Sequence, residues 1–157
     1  MLAALHLIVA LAQEPTFHVE GMTLIPPAAV TFAAGAQAPE AGAEPVLDHV
    51  RAWLAAKTYV TTLRIEAHVS GAPDAQRLSE QRALAVARWL VAHGVACGRL
   101  LPVGFGDTKP VAAGDTPESR AANTRIVFTG AALRGTLVGG MPADGGGKVA
   151  GDPCAAP

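Results

Sequence analysis

Residues 61–94 carry the pattern that most restricts how this chain can fold. Leu63, Ile65, Ala67 and Val69 alternate with Thr62, Arg64, Glu66 and His68, the two-residue period of a half-buried strand. Ser70-Gly71-Ala72-Pro73-Asp74 interrupts the alternation as a turn. Leu78, Ala83, Val86, Trp89 and Leu90 then recur on one broad helical face, and Gly94 suits the left-handed residue just past a helix end. Asp74 stands where a helix cap belongs.

The same reading extends in both directions. Phe17–Glu20 and Met22–Ile25 are short extended pieces around Gly21, and Ala28–Phe32 after Pro26-Pro27 reads as another strand. Gly35–Gly42 is a loop. Pro45 fits a helical first turn, and Val46, Leu47, Val50, Trp53 and Leu54 keep helical spacing to about Lys57. Arg99–Phe105 is a further strand, which Pro102 should place at an edge or bulge. Thr116-Pro117-Glu118 combines a cap, a first-turn proline and an acid, opening a short helix through Asn123. Thr124–Thr129 is the last strand. Strands alternating with two longer helices give an α+β fold, two main helices packed on one face of a small mixed β-sheet. No internal repeat is visible.

The ends and the composition set the compartment and the partners. Residues 2–12 form an apolar run closed by Ala10-Leu11-Ala12, a small-x-small site that would fit cleavage of a secretory signal before Gln13. A first strand or buried stub is the alternative reading. No cysteine follows the run, so the expectation is an exported, periplasmic protein without a lipid anchor. The division expected is 1–12 signal, 13–27 N-terminal extension, 28–134 folded domain and 135–157 Gly/Pro/Ala-rich tail. Of the 157 residues, 12 are Lys or Arg and 13 Asp or Glu, a net charge of −1 that provides no basic field for nucleic acid. No apolar stretch reaches the roughly 18 residues a bilayer span requires. The two cysteines, Cys97 and Cys154, form no CxxC pair and the histidines are scattered, so no metal or other cofactor is expected. In an oxidising compartment Cys97 and Cys154 either pair, tying the tail to the domain, or remain two free thiols.

Five motifs in order then resemble the OmpA-like domain shared by OmpA C-terminal regions, the lipoprotein Pal and the flagellar stator protein MotB. Ile65-Glu66-Ala67-His68 stands where that family has a strand entering Gly-His-Thr-Asp. Leu78-Ser79-Glu80-Gln81-Arg82-Ala83 matches its Leu-Ser-x-x-Arg-Ala helix start. Gly94-Val95 with Arg99-Leu100 matches the next turn. Gly104-Phe105-Gly106-Asp107 with Pro110-Val111 matches its Gly-Tyr-Gly-Glu…Pro loop. Thr116 through Ile126 matches its closing Arg…Asn-Arg-Arg-Val segment. The likeness spans about Val30 to Phe128.

That resemblance implies peptidoglycan as the partner, bound without catalysis. In the family an aspartate receives the ammonium of a diaminopimelate side chain, and the motif arginine receives a carboxylate of the same residue, where its planar fork binds both oxygens. Arg82 takes the arginine position, and Asn123 and Arg125 take the closing motif that lines the groove. At the aspartate position this chain has Ser70, which carries no charge. Asp74 either caps the helix, the simpler role, or swings in as a substitute ligand. For Arg82 and Arg125 the plain alternative is a surface ion pair. The competing reading is a degenerate domain kept as a structural or protein-interaction subunit of an envelope complex. His68, Ser70 and Asp74 lie close in sequence, but no G-x-S-x-G elbow accompanies them and a hydrolytic triad is disfavoured. Gly104-x-Gly106 lacks the further glycine of a dinucleotide fingerprint. Trp53 and Trp89 sit on apolar helix faces as core residues rather than sugar platforms.

Overall fold

The computed structural model describes residues 13–139 and 145–156. The expected signal segment, 1–12, lies outside them. In chain order the elements are β1 (His18–Glu20), β2 (Thr23–Ile25), α1 (Glu44–Ala56), β3 (Val60–His68), α2 (Ala75–Ala92), β4 (Leu100–Gly106), α3 (Pro117–Asn123), β5 (Arg125–Leu133), β6 (Thr136–Leu137) and β7 (Lys148–Val149). The strands form one mixed sheet in the order β1-β2-β5-β3-β4-β7, with β6 also on β5. β3 is its centre, parallel to β4 and antiparallel to β5.

The alternation in β3 decides which side of the sheet is covered. Leu63 and Ile65 are fully buried, and register places Ile65 opposite Phe128, which in turn lies opposite Leu24. These residues share a core with Val46, Leu47, Val50, Trp53 and Leu54 of α1 and Val86, Ala87 and Leu90 of α2. Both long helices therefore pack on the apolar face of a mixed sheet, the α+β arrangement the periodicities require.

Three sequence expectations need correction. Ala28–Phe32 forms no strand. Pro26 and Pro27 have no N–H to donate, and the available edge of β5 is already taken by β2 through Thr23–Thr129 and Leu24–Phe128 pairing. Asp74 occupies the cap position of α2 but its side chain makes no capping bond. Its backbone, at φ −107° and ψ 45°, is not the extended conformation that aims a cap side chain at the first turn. Leu78 and Trp89 also flank the buried stripe of α2 rather than filling it. The stripe itself is Ala75, Ser79, Arg82, Ala83, Val86, Ala87 and Leu90.

The short pieces before Pro26 join the sheet as the β1–β2 hairpin rather than hanging from it. At the opposite edge Pro102 sits as its chemistry demands. Its carbonyl accepts from Ala150 at 2.9 Å on the β7 side, and in an extended strand its nitrogen points the same way. The missing donor thus falls on the outer edge of β4. There β7 pairs only Val103–Val149 and Gly104–Lys148, and a Cys97–Cys154 disulfide, Cα atoms 5.1 Å apart, holds the segment that follows.

Candidate functional site

The end of β3, the start of β5 and the buried face of α2 meet around a cleft of about 300 Å³. His68, Arg82 and Arg125 line it, together with Phe32, Thr31 and Thr124. A larger hollow of about 520 Å³ opens beside β1, but Lys57 is the one charged residue in its lining, so it has little with which to orient a charged ligand.

Arg82 is brought inside by helical spacing: it falls one turn from Val86 and two from Leu90, and is only 5% exposed. Its Nε donates to the Ala36 carbonyl at 2.9 Å and its Nη2 to the Ala33 carbonyl at 3.3 Å. The guanidinium also lies over the Phe32 ring, 4.6 Å from its centroid. The loop before α1 thus holds the arginine still while leaving most of its N–H groups unspent. Burial lowers its pKa, yet a guanidinium remains charged at neutral pH. Arg125 is held likewise, donating to the Asn123 carbonyl at 3.2 Å and the Lys109 carbonyl at 3.1 Å. Burial lowers its pKa too, opposed by the charge of Glu66.

His68 closes the floor. It is 2% exposed, stacked on Phe105 at 5.0 Å, and neither ring nitrogen has a hydrogen-bond partner. Its Nε2 is 3.5 Å from Glu66 Oε2, beyond the length of a well-formed hydrogen bond. Glu66, 8% exposed, is bound by Arg64, whose Nε and Nη2 both stand 2.6 Å from Oε1. Burial alone would favour the neutral acid. The His68 and Arg64 contacts outweigh it and hold the carboxyl below its ordinary range.

The remaining sequence candidates lie elsewhere. Ser70 and Asn123 line a separate small hollow with Asp107, Lys109 and Pro110. The Ser70 N–H donates to Thr124 Oγ1 at 3.1 Å. Asn123 is spent on backbone: its Oδ1 accepts from Val111 and Ala112 at 2.7 and 2.9 Å, and its Nδ2 donates to the Ala112 carbonyl at 3.0 Å. It therefore fixes the loop before α3. Asp74 is exposed and lines neither hollow. Among the described residues no group of His, Cys, Asp and Glu is arranged to hold a metal ion.

Two residues of structural weight escaped the sequence reading. Ser79, fully buried, donates to the Gln76 carbonyl at 2.7 Å and accepts from the Gly106 N–H at 2.9 Å. Phe32 supplies the aromatic face under Arg82. The position of Ser79 on the stripe of Val86 and Leu90 was the available signal for the first. None marked the second.

The OmpA family model matches residues 31–124, more than half of the chain, and covers every helix and all of β3 and β4. The chain belongs to the OmpA family. Among curated relatives of this OmpA-family chain, the peptidoglycan-binding protein ArfA of Mycobacterium tuberculosis is 51% identical over 49 residues. That stretch is 31% of this chain and only 15% of ArfA's length. Two solved structures share the fold. A putative MotB-like protein from Desulfovibrio vulgaris superposes with a TM-score of 0.58 at 26% identity, covering 68% of this chain and 70% of that one. The peptidoglycan-associated lipoprotein of Burkholderia pseudomallei gives 0.57 at 25% identity, covering 64% and 87%. Among the described residues no helix is long and apolar enough to cross a membrane.

Proposed function

We propose that this chain is a non-enzymatic, envelope-located module that binds peptidoglycan non-covalently through the cleft beside Arg82. The observation that carries the reading is the buried Arg82 guanidinium, anchored on two backbone carbonyls and lining a cationic cleft, in a chain of the OmpA family. Relatives named for peptidoglycan binding or association, ArfA and the Burkholderia lipoprotein, support it. A fork already anchored on Ala33 and Ala36 loses little freedom when it receives a carboxylate, so more of the bond appears as affinity. Arg125, at the start of β5, adds a second positive charge to the lining. The stem peptide of peptidoglycan presents carboxylates of this kind on diaminopimelate. The apolar run at residues 2–12 supports export to the periplasm.

The test is co-sedimentation of the purified protein with isolated sacculi, beside Arg82→Ala and Arg82→Lys, each checked for folding by thermal melting. The wild-type protein should pellet. Arg82→Ala should lose about tenfold or more in affinity, and the lysine variant should recover only part of it, since an ammonium cannot make the paired contact. Failure of the wild-type protein to pellet would overturn the proposal and favour a protein-interaction role in an envelope complex.

A further inference from the structure

Besides His68, the ionisable groups lining the cleft are two guanidiniums. Arg82, Arg125 and His68 face it, and no aspartate or glutamate does. Ser70, where the family resemblance implies an acid, belongs to the neighbouring hollow, its N–H tied to Thr124. Asp74 lines neither, and Glu66 is engaged by Arg64. His68, 2% exposed, adds no free charge of its own, its ring stacked on Phe105 and its Nε2 3.5 Å from Glu66 Oε2.

We propose, resting on the peptidoglycan reading above, that this cleft selects its ligand by the carboxylate alone and does not require the adjacent ammonium. The chain therefore accepts stem peptides whose diaminopimelate amino group has been acylated, as it is in a cross-link, as readily as free ones. The electrostatics give the direction. No carboxylate lines the cleft to receive an ammonium beside the two guanidiniums, and Glu66 behind them is engaged by Arg64 and His68, so acylating the amine removes no favourable contact. The carboxylate, by contrast, is complementary to both guanidiniums.

The experiment is titration calorimetry of the wild-type protein with three forms of the tripeptide L-Ala-γ-D-Glu-meso-diaminopimelate. One is unmodified, one is acetylated on the diaminopimelate side-chain amine alone, and one is amidated on the diaminopimelate carboxylate beside that amine. The acetylated form should bind at least as tightly as the unmodified one, and the amidated form about tenfold more weakly or worse. Loss of binding on acetylation would overturn the proposal and leave the peptidoglycan reading standing. Equal binding of the amidated form would also overturn it. If the peptides fail to bind while sacculi still pellet the protein, the wall is held elsewhere and the proposal falls. If sacculi fail as well, both readings fall together.

Discussion

The hydroxyl of Ser79 joins the first turns of α2 to the end of β4, bridging the Gln76 carbonyl and the Gly106 N–H with no access to water. Removing it strands a buried donor, so Ser79→Ala should lower stability by about 1–3 kcal/mol in urea unfolding, a large effect for one oxygen atom. Glu66 supplies the pH dependence. Its folded pKa is depressed from an ordinary value of 4.5, so its contribution is present above that value and is lost as pH falls through the lower folded value. Melting temperature should therefore drop as the solution is acidified below about pH 4.5, and Glu66→Gln should flatten that part of the profile. A profile in the variant as steep as in the wild type would show that other carboxylates govern acid unfolding. Arg82 was legible in the sequence only in part. Its helical position was readable, and so was its place in the Leu-Ser-x-x-Arg-Ala motif. Its bonds to Ala33 and Ala36 were not, because nothing local in sequence says where a loop more than forty residues upstream will lie.

Among the elements, α2 and β4 approach each other closely. A Cβ on Gly104 would stand 2.5 Å from the Glu80 backbone nitrogen, so only glycine lets helix and strand meet there. Gly104→Ala should cost about 1–3 kcal/mol by overpacking, read as a lower urea midpoint. It should also weaken ligand binding, because α2 carries Arg82. The elements with strong periodicity, α1, β3 and α2, were legible from sequence, as was α3 with its Thr116–Ser119 capping box. The family comparison agrees with the α+β reading. The failures came where local signals are weak. Ala28–Phe32 is as apolar as a strand, but the edge it would need is occupied by β2. β7 is two residues of a glycine-rich tail, and its strand conformation is imposed by β4 and by the disulfide rather than by its own side chains.

For the whole molecule, the disulfide is the feature with the longest reach, joining residues 57 apart in sequence. Closing a loop of that size restricts the unfolded chain, and Cys154→Ser should cost about 2–4 kcal/mol in thermal or urea unfolding. Hydrogen exchange at the β4–β7 contact should quicken in the same variant. Unchanged exchange there would mean that strand pairing alone holds the tail. The bond also makes a closed covalent ring of residues 97–154, which contains β4, α3 and β5 and so carries Arg125. Its exposed stretch near Asp115 is a natural place for a protease to cut. A single cut inside the ring opens it without releasing a fragment, and the nicked protein stays one molecule until a reductant reaches the sulfurs.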